Sequence, residues 1–323
     1  MTLSSSTSSS KAILRTLATF GLFCALTEAF IQLTLHPADL ADIRQAQATT
    51  RFSQSCLVLG DSVANQLAPP IDGSPIRRFA VRLGKASRLK DERGSAGPEL
   101  DARCAFLTTT AGATRIGDLL LLERAFDAGS APTEIHLVLS AGGWSLGRDG
   151  NWNFDDGFAQ RFSSPGQIAE IYSIEHDLGL LGRQIALGWL PSLRARGPYG
   201  QRLLSSLVPR PAPPPLGLEN PNWSLSAWNR DALARILRVT EAHHAKLYVH
   251  FAPYARGNAP TDVGSRWKHA MTEFPAATVG SSPEAWDPEL FRDGIHLQPQ
   301  HEPLIATWFL KELDATSPQT KRP

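Results

Sequence analysis

From residue 51 onward the chain alternates short apolar runs with longer stretches whose apolar positions recur every three or four residues. The apolar runs fall at residues 55–59, 105–109, 135–140 and 246–251, with a weaker candidate near Thr278. Their near-continuous apolar character is the pattern of strands buried on both faces. Between them, residues 116–128, with Leu119, Leu120 and Leu122, and residues 224–243 read as helices. A last helix over 302–313 places Ile305, Phe309 and Leu313 on one face. Strands alternating with helices predict an α/β domain around a parallel sheet. Residues 147–222 break the alternation. They contain no matching strand, are too long for a simple connection, and carry too much Trp, Phe and Tyr for a disordered linker. A helical insertion or lid after the third strand is expected there, closed by the proline run at 209–215, where extended backbone is favoured. It would lie over the C-terminal edge of the strands, where function gathers in such sheets.

The N-terminal pattern is different. After a Ser/Thr-rich leader with Lys11 and Arg15, residues 16–35 are mostly apolar and about long enough to cross a bilayer as a helix. Positive charge before this run, and Asp39 and Asp42 after it, orient the N-terminus inside and the body outside. Glu28 and Gln32 lie toward the outer end, within reach of the interface. The alternative is a cleaved signal peptide with its apolar core at 17–26; no clean small-x-small cleavage site follows, which favours an uncleaved anchor. The expected organisation is a cytoplasmic leader (1–15), a transmembrane anchor or signal peptide (16–35), a linker (36–50), a folded body (51–316) and a tail (317–323). Either version of the first segment puts the body on the periplasmic or extracellular side of the cytoplasmic membrane. With 323 residues and 42% hydrophobic content, the chain has enough apolar material for one large domain or two small ones. Its net charge of +1, with basic residues scattered rather than striped, leaves no electrostatic footprint for nucleic acid.

Two stretches far apart in the chain carry complementary chemistry. Cys56-Leu57-Val58-Leu59-Gly60-Asp61-Ser62 is an apolar run that stops at a turn, leaving Ser62 at a strand's C-terminal end and at the start of the next helix. Backbone N–H groups in such a turn can stabilise an oxyanion. Asp293-Gly294-Ile295-His296 places a carboxylate and an imidazole on one loop, so that the carboxylate can fix the ring's tautomer while the other nitrogen faces a serine. Either stretch alone is equally compatible with a polar turn. Other groups point to no cofactor or metal. His243 and His244 are adjacent on a helix and face different ways. His250 sits in an apolar strand, as a hydrogen-bonded core histidine does, and His176-Asp177 and His301-Glu302 are isolated. No spacing matches a zinc site, and Gly142-Gly143 lacks the Gly-Lys-Ser/Thr of a phosphate loop.

Taken together, the two stretches resemble the SGNH (GDSL) hydrolases, serine esterases and acyl transferases on a three-layer, flavodoxin-like α/β fold. The resemblance covers most of the chain after residue 50. It implies that Ser62 is the nucleophile, His296 the base and Asp293 the acid that orients it, with the amides of Ser62 and Gly112 forming the oxyanion hole. The family's third block, a Gly-x-Asn, is similar to Gly142-Gly143-Trp144-Ser145, but Trp144 stands where the asparagine belongs. Loss of one oxyanion donor costs about 3 to 4 kcal/mol of transition-state stabilisation. Ser145, another donor or a partner would then have to compensate, or activity is low; Trp144 itself fits packing over the sheet edge. In this fold Cys56 and Cys104 would lie low on neighbouring strands. A disulfide is geometrically open to them and an exported compartment permits it; two small buried hydrophobes are the alternative.

Within the family, the anchor, the insertion containing residues 158–165 and the late Asp-x-x-His resemble the membrane-anchored branch. That branch includes the alginate O-acetylation proteins and the D-alanyl transfer protein of teichoic acid synthesis, which work beside membrane-bound O-acyltransferases. The resemblance implies an exported serine-dependent esterase or O-acyltransferase that acts on acyl groups of a cell-envelope polysaccharide. The partners it implies are an envelope glycan or acylated small molecule, and a membrane-bound O-acyltransferase. A different class stays open: a non-hydrolytic accessory subunit or glycan-binding module that has kept the fold with a degraded oxyanion hole.

Overall fold

The computed structural model describes residues 6–34, 51–67, 81–84, 103–109, 115–140 and 224–316. The strands are β1 (Cys56–Gly60), β2 (Val81–Gly84), β3 (Cys104–Thr109), β4 (Glu134–Leu139), β5 (Lys246–Phe251), β6 (Tyr254–Ala255), β7 (Thr278–Val279) and β8 (Ala285–Trp286). The helices are α1 (Ser6–Thr34), α2 (Ala64–Leu67), α3 (Arg115–Asp127), α4 (Ala227–Ala242), α5 (Val263–Met271) and α6 (Glu302–Thr316). Six strands form one sheet in the order β2-β3-β1-β4-β5-β7, and β6 pairs separately with β8. Every pairing in the large sheet is parallel except β2 with β3. With the antiparallel edge strand set aside, the five parallel strands stand in chain order 2-1-3-4-5, the arrangement of flavodoxin-like sheets.

Alternation along the strands divides the core into two layers. Leu57, Leu59, Leu107, Leu137, Leu139 and Val249 face α3, α4 and α5, with Leu122, Ile236 and Trp267 packed among them. Cys56, Val58, Phe106 and Val138 face the other way, against α2 and α6, where Leu67, Ile305, Phe309 and Leu313 complete the layer. A sheet between two helical layers is therefore the described architecture, as the strand and helix pattern predicts. Helix α4 starts where the Ser226 hydroxyl accepts the Asn229 N–H at 3.2 Å, satisfying one of the open donors of its first turn. It ends at His243, whose ring stacks on Phe126 of α3 at 3.7 Å between centroids, and His244 turns the chain with φ +56°. These histidines serve packing and a turn.

The expected membrane span at 16–35 overlaps a longer helix that the structure does not show to be a span. Helix α1 begins at Ser6 rather than at residue 16. Its first turns are Ser-Thr-Ser-Ser-Ser-Lys, and Arg15 and Glu28 fall within the length a span would need. Among the described residues no helix is long and apolar enough to cross a membrane. Its apolar side chains are nevertheless uncovered: Ile13, Leu14, Leu17, Phe20, Leu22, Phe23, Leu26 and Phe30 are 58–71% exposed and, at 100° per residue, lie around the whole circumference. The expected linker at 36–50, the insertion at 147–222 and the tail at 317–323 lie outside the described residues, as do the first five residues of the leader.

Candidate active site

Strand β1 ends in a turn that admits no side chain at Gly60. Its φ is +155°, and a Cβ there would stand 2.5 Å from both the Val138 carbonyl oxygen and the Ala64 Cβ. Glycine lets the backbone leave the sheet against β4 and enter α2 at once. Asp61, 1% exposed, braces the turn from inside: its Oδ1 accepts the Val63 N–H at 3.0 Å, and its Oδ2 accepts the hydroxyl of Ser140, at the end of β4. The carboxylate thus ties the turn to the neighbouring strand and leaves the next side chain, Ser62, half-buried at the sheet's C-terminal edge.

The second stretch reaches the same edge from the far end of the chain. Gly294 adopts φ +86°, and a Cβ on it would fall 1.7 Å from the Asn258 side-chain nitrogen, so this turn also requires glycine. The Gly294 carbonyl accepts the Ala255 N–H of β6 at 2.9 Å, and the Arg292 N–H donates to the His296 carbonyl at 2.9 Å. Asp293 organises the loop: its Oδ1 accepts the backbone N–H groups of His296 at 2.8 Å and Ile295 at 3.3 Å. Its Oδ2 lies 2.8 Å from His296 Nδ1. His296 Nε2 lies 2.7 Å from Ser62 Oγ.

Burial alone would raise the Asp293 carboxyl. The hydrogen bonds and charge of His296 and the two backbone amides outweigh it and hold the group down at about 2. An ionised Asp293 accepts Nδ1–H, which fixes the tautomer with Nε2 as acceptor toward the Ser62 hydroxyl. Arg292 adds a cation 3.7 Å from Asp293 Oδ2, with both side chains about half exposed, a contact worth little in water. The order carboxylate, imidazole, hydroxyl is the hydrogen-bond order that activates a serine for attack on an acyl carbon.

The structure therefore brings Ser62, Asp293 and His296 together across 234 residues of sequence between the serine and the histidine. Gly112 and the third-block positions Gly142, Trp144 and Ser145 lie outside the described residues. Cys56 and Cys104 are directly opposed on β1 and β3 and joined by a disulfide with Cα atoms 4.4 Å apart, so the alternative of two free buried thiols is not what forms. His250 is fully buried, between His136 Nδ1 at 2.9 Å and Glu312 Oε2 at 3.0 Å. Among the described residues no group of three or more His, Cys, Asp or Glu side chains is arranged to hold a metal. The only sequence signals for the Asp61–Ser140 brace and for the close approach of Asn258 to Gly294 are the polar residue closing an apolar run at Ser140 and the Asp-Gly pair at 293–294.

No family model matches the chain, and no curated protein does. Among solved structures, TesA is similar at 14% identity over 81% of this chain and 99% of its own, with a TM-score of 0.37. A catalytic mutant of Axe2, an acetylxylan esterase from Geobacillus stearothermophilus, is similar at 12% identity over 81% of this chain and 95% of its own, with a TM-score of 0.36. Likenesses at these scores carry no argument about chemistry. The candidate site rests on the distances between its own residues.

Proposed function

We propose that the protein is a serine-dependent acyl esterase or O-acyltransferase of the SGNH type. The observation that carries this reading is the 2.7 Å approach of His296 Nε2 to Ser62 Oγ with Asp293 at 2.8 Å from the other ring nitrogen. Ser62 Oγ attacks the carbonyl carbon of an acyl ester while its proton passes to His296 Nε2, and Asp293 stabilises the imidazolium that forms. Collapse of the tetrahedral intermediate breaks the ester bond; the leaving alkoxide takes the proton from Nε2, and the acyl group remains on Ser62. Water or a sugar hydroxyl then attacks the acyl-serine by the same proton path in reverse, giving hydrolysis or transfer. Since the Val63 N–H is committed to Asp61, the donor we assign to the oxyanion from this turn is the N–H of Ser62 itself.

Two features support an exported setting. The Cys56–Cys104 bridge belongs to chemistry that persists in oxidising compartments. Helix α1 is not apolar enough along its length to cross a membrane, but its large apolar side chains lie uncovered around its circumference and suit a membrane surface or a membrane partner, which favours α1 as the attachment of a body on the outer face of the cytoplasmic membrane. Resemblance to the membrane-anchored branch favours an envelope polysaccharide as the acyl carrier and a membrane-bound O-acyltransferase as partner. The test is to mix the protein with an activated acetyl ester, follow the release of its leaving group, and search the Ser62 peptide by mass for the acyl adduct. A stoichiometric burst with acyl on Ser62 is expected in the wild type and none in Ser62→Ala; steady release without a Ser62 adduct overturns the acyl-serine mechanism. In cells, Ser62→Ala should abolish the O-acyl content of the envelope polysaccharide, and unchanged acylation would remove the glycan assignment.

A further inference from the structure

Four residues beyond the serine, Gln66 of α2 is 5% exposed and spends its side-chain amide on the opposite end of the chain. Its Oε1 accepts the Leu297 N–H at 3.1 Å, and its Nε2 donates to the Leu297 carbonyl at 3.0 Å. Nε2 also donates to Glu302 Oε1 at 3.1 Å, at the start of α6. Leu297 follows His296 directly, so the two reciprocal bonds clamp the backbone of the residue after the imidazole, through both of its peptide groups, onto the short helix that follows Ser62. Only an amide can both donate and accept here at fixed length. We propose that Gln66 is a positioning residue that sets the distance between His296 Nε2 and Ser62 Oγ, a claim that deepens the acyl-serine reading and concerns the same site.

The physical ground is that 231 residues of chain separate Gln66 from Leu297, so the serine turn and the histidine loop keep register only through tertiary contacts. The loop's other backbone anchors tie it to β6 and to itself, through Ala255 to Gly294 and Arg292 to His296. Among the described residues, Gln66 is a hydrogen-bonded link running from the loop to the helix that follows the serine. An error of about 1 Å in such a site costs on the order of 100-fold in rate. Glu302 bears on the test, because burial pushes its carboxyl up, against the Gln66 hydrogen bond and the charges of Arg292 and His296. A second carboxyl placed at position 66 would therefore face Glu302 and the Leu297 carbonyl, with Arg292 as the nearby cation.

The experiment uses the full-length chain with histidine ring nitrogens labelled, as wild type, Gln66→Leu and Gln66→Glu. Two quantities are read: the rate of Ser62 labelling by a fluorophosphonate, and the titration and tautomer of His296 by nitrogen NMR. Gln66→Leu keeps the volume and loses all three bonds; it is expected to label about 10- to 100-fold more slowly and to show a displaced His296 titration. Gln66→Glu keeps the acceptor and regains a donor only when protonated, so its rate relative to wild type is expected to recover as pH falls. A purely structural role would lower the melting temperature of both variants, leave the rate per folded molecule and the His296 titration at wild-type values, and overturn the proposal. If wild type itself does not label, the acyl-serine reading falls, and the His296 spectra of the variants still decide the role of Gln66.

Discussion

Acid should destabilise this protein through a buried histidine remote from the proposed chemistry. His136 lies on β4, fully buried, stacked on Tyr248 at 4.6 Å and edge-on to Phe309. Its Nδ1 meets His250 Nε2 at 2.9 Å, and Glu134 stands 3.7 Å from its Nε2. Desolvation is the largest influence and pushes the imidazole down; Glu134 opposes this, His250 and Arg103 add to it, and the group comes to rest at about 4 against an ordinary 6.5. In the unfolded chain the same ring takes its proton below about 6.5. Between about pH 6.5 and 4 the unfolded state therefore binds more protons, and stability drops as the pH is lowered. A window of about 2.5 pH units at about 1.4 kcal/mol per unit amounts to about 3.5 kcal/mol, a large part of the roughly 5 to 15 kcal/mol that holds a domain folded. Glu312 continues the trend at lower pH. Burial raises its carboxyl, but the bonds from His250 and Ser281 outweigh burial and hold it below 4.5, so its contribution is present above that value and lost as pH falls further. Urea titrations at intervals from pH 7.5 to 4.5, on wild type and His136→Gln, measure the slope. Wild type should lose stability across this range and His136→Gln should lose less; a flat wild-type profile, or equal slopes in both proteins, would refute the reasoning.

Other perturbations have equally direct outcomes. Asp293→Asn should reduce acyl turnover by about 10³- to 10⁴-fold, because the amide presents the wrong partner to Nδ1; turnover within tenfold of wild type would contradict the assigned orientation. Because Asp293 is held at about 2, below its ordinary 3.8, its ionised contact with His296 is present above the ordinary value and is lost only as pH falls through about 2. Carboxyl carbon NMR should find it ionised at pH 3. Cys56→Ala with Cys104→Ala, or reduction of the wild type, should cost about 4 kcal/mol by loop-closure entropy across a sequence separation of 48; urea midpoints unchanged by reductant would count against a structural bridge. At Gly280 an added Cβ would lie 2.3 Å from Glu312 Oε2 and 2.6 Å from His250 Nδ1. Gly280→Ala should therefore destabilise by about 1 to 3 kcal/mol in thermal melts, and a melt equal to wild type would show that the pair yields freely.

The elements that periodicity identifies are those whose signal is local. Near-continuous apolar runs located β1, β3, β4 and β5 to within a residue or two, and helical spacing located α3, α4 and α6, because each buries its apolar residues in a regular layer. The two-residue strands β6 and β8 and the edge strand β2, with Val81 and Leu83 as its apolar residues, carry too few alternations to register. Helix α5 is nine residues long, too short for helical spacing to stand out in the mixed sequence between β5 and β7. At the site, Ser62, Asp293 and His296 were legible because their chemistry is written in two short motifs. Gln66 and the Asp61–Ser140 contact were not, since each depends on a partner 231 or 79 residues away and neither residue type is distinctive by itself. The disulfide was half legible: equal depth on neighbouring strands allowed it, but only the register Cys56↔Cys104 brings the sulfurs together.

Fluorophosphonate labelling of the full-length protein followed by peptide mass spectrometry, with His296→Ala as control, reads out whether Ser62 is a nucleophile activated by His296. The geometry predicts an adduct on Ser62 in the wild type and its loss in His296→Ala. A folded wild type that gains no adduct, or an adduct on Ser62 that forms as fast without His296, would contradict the account.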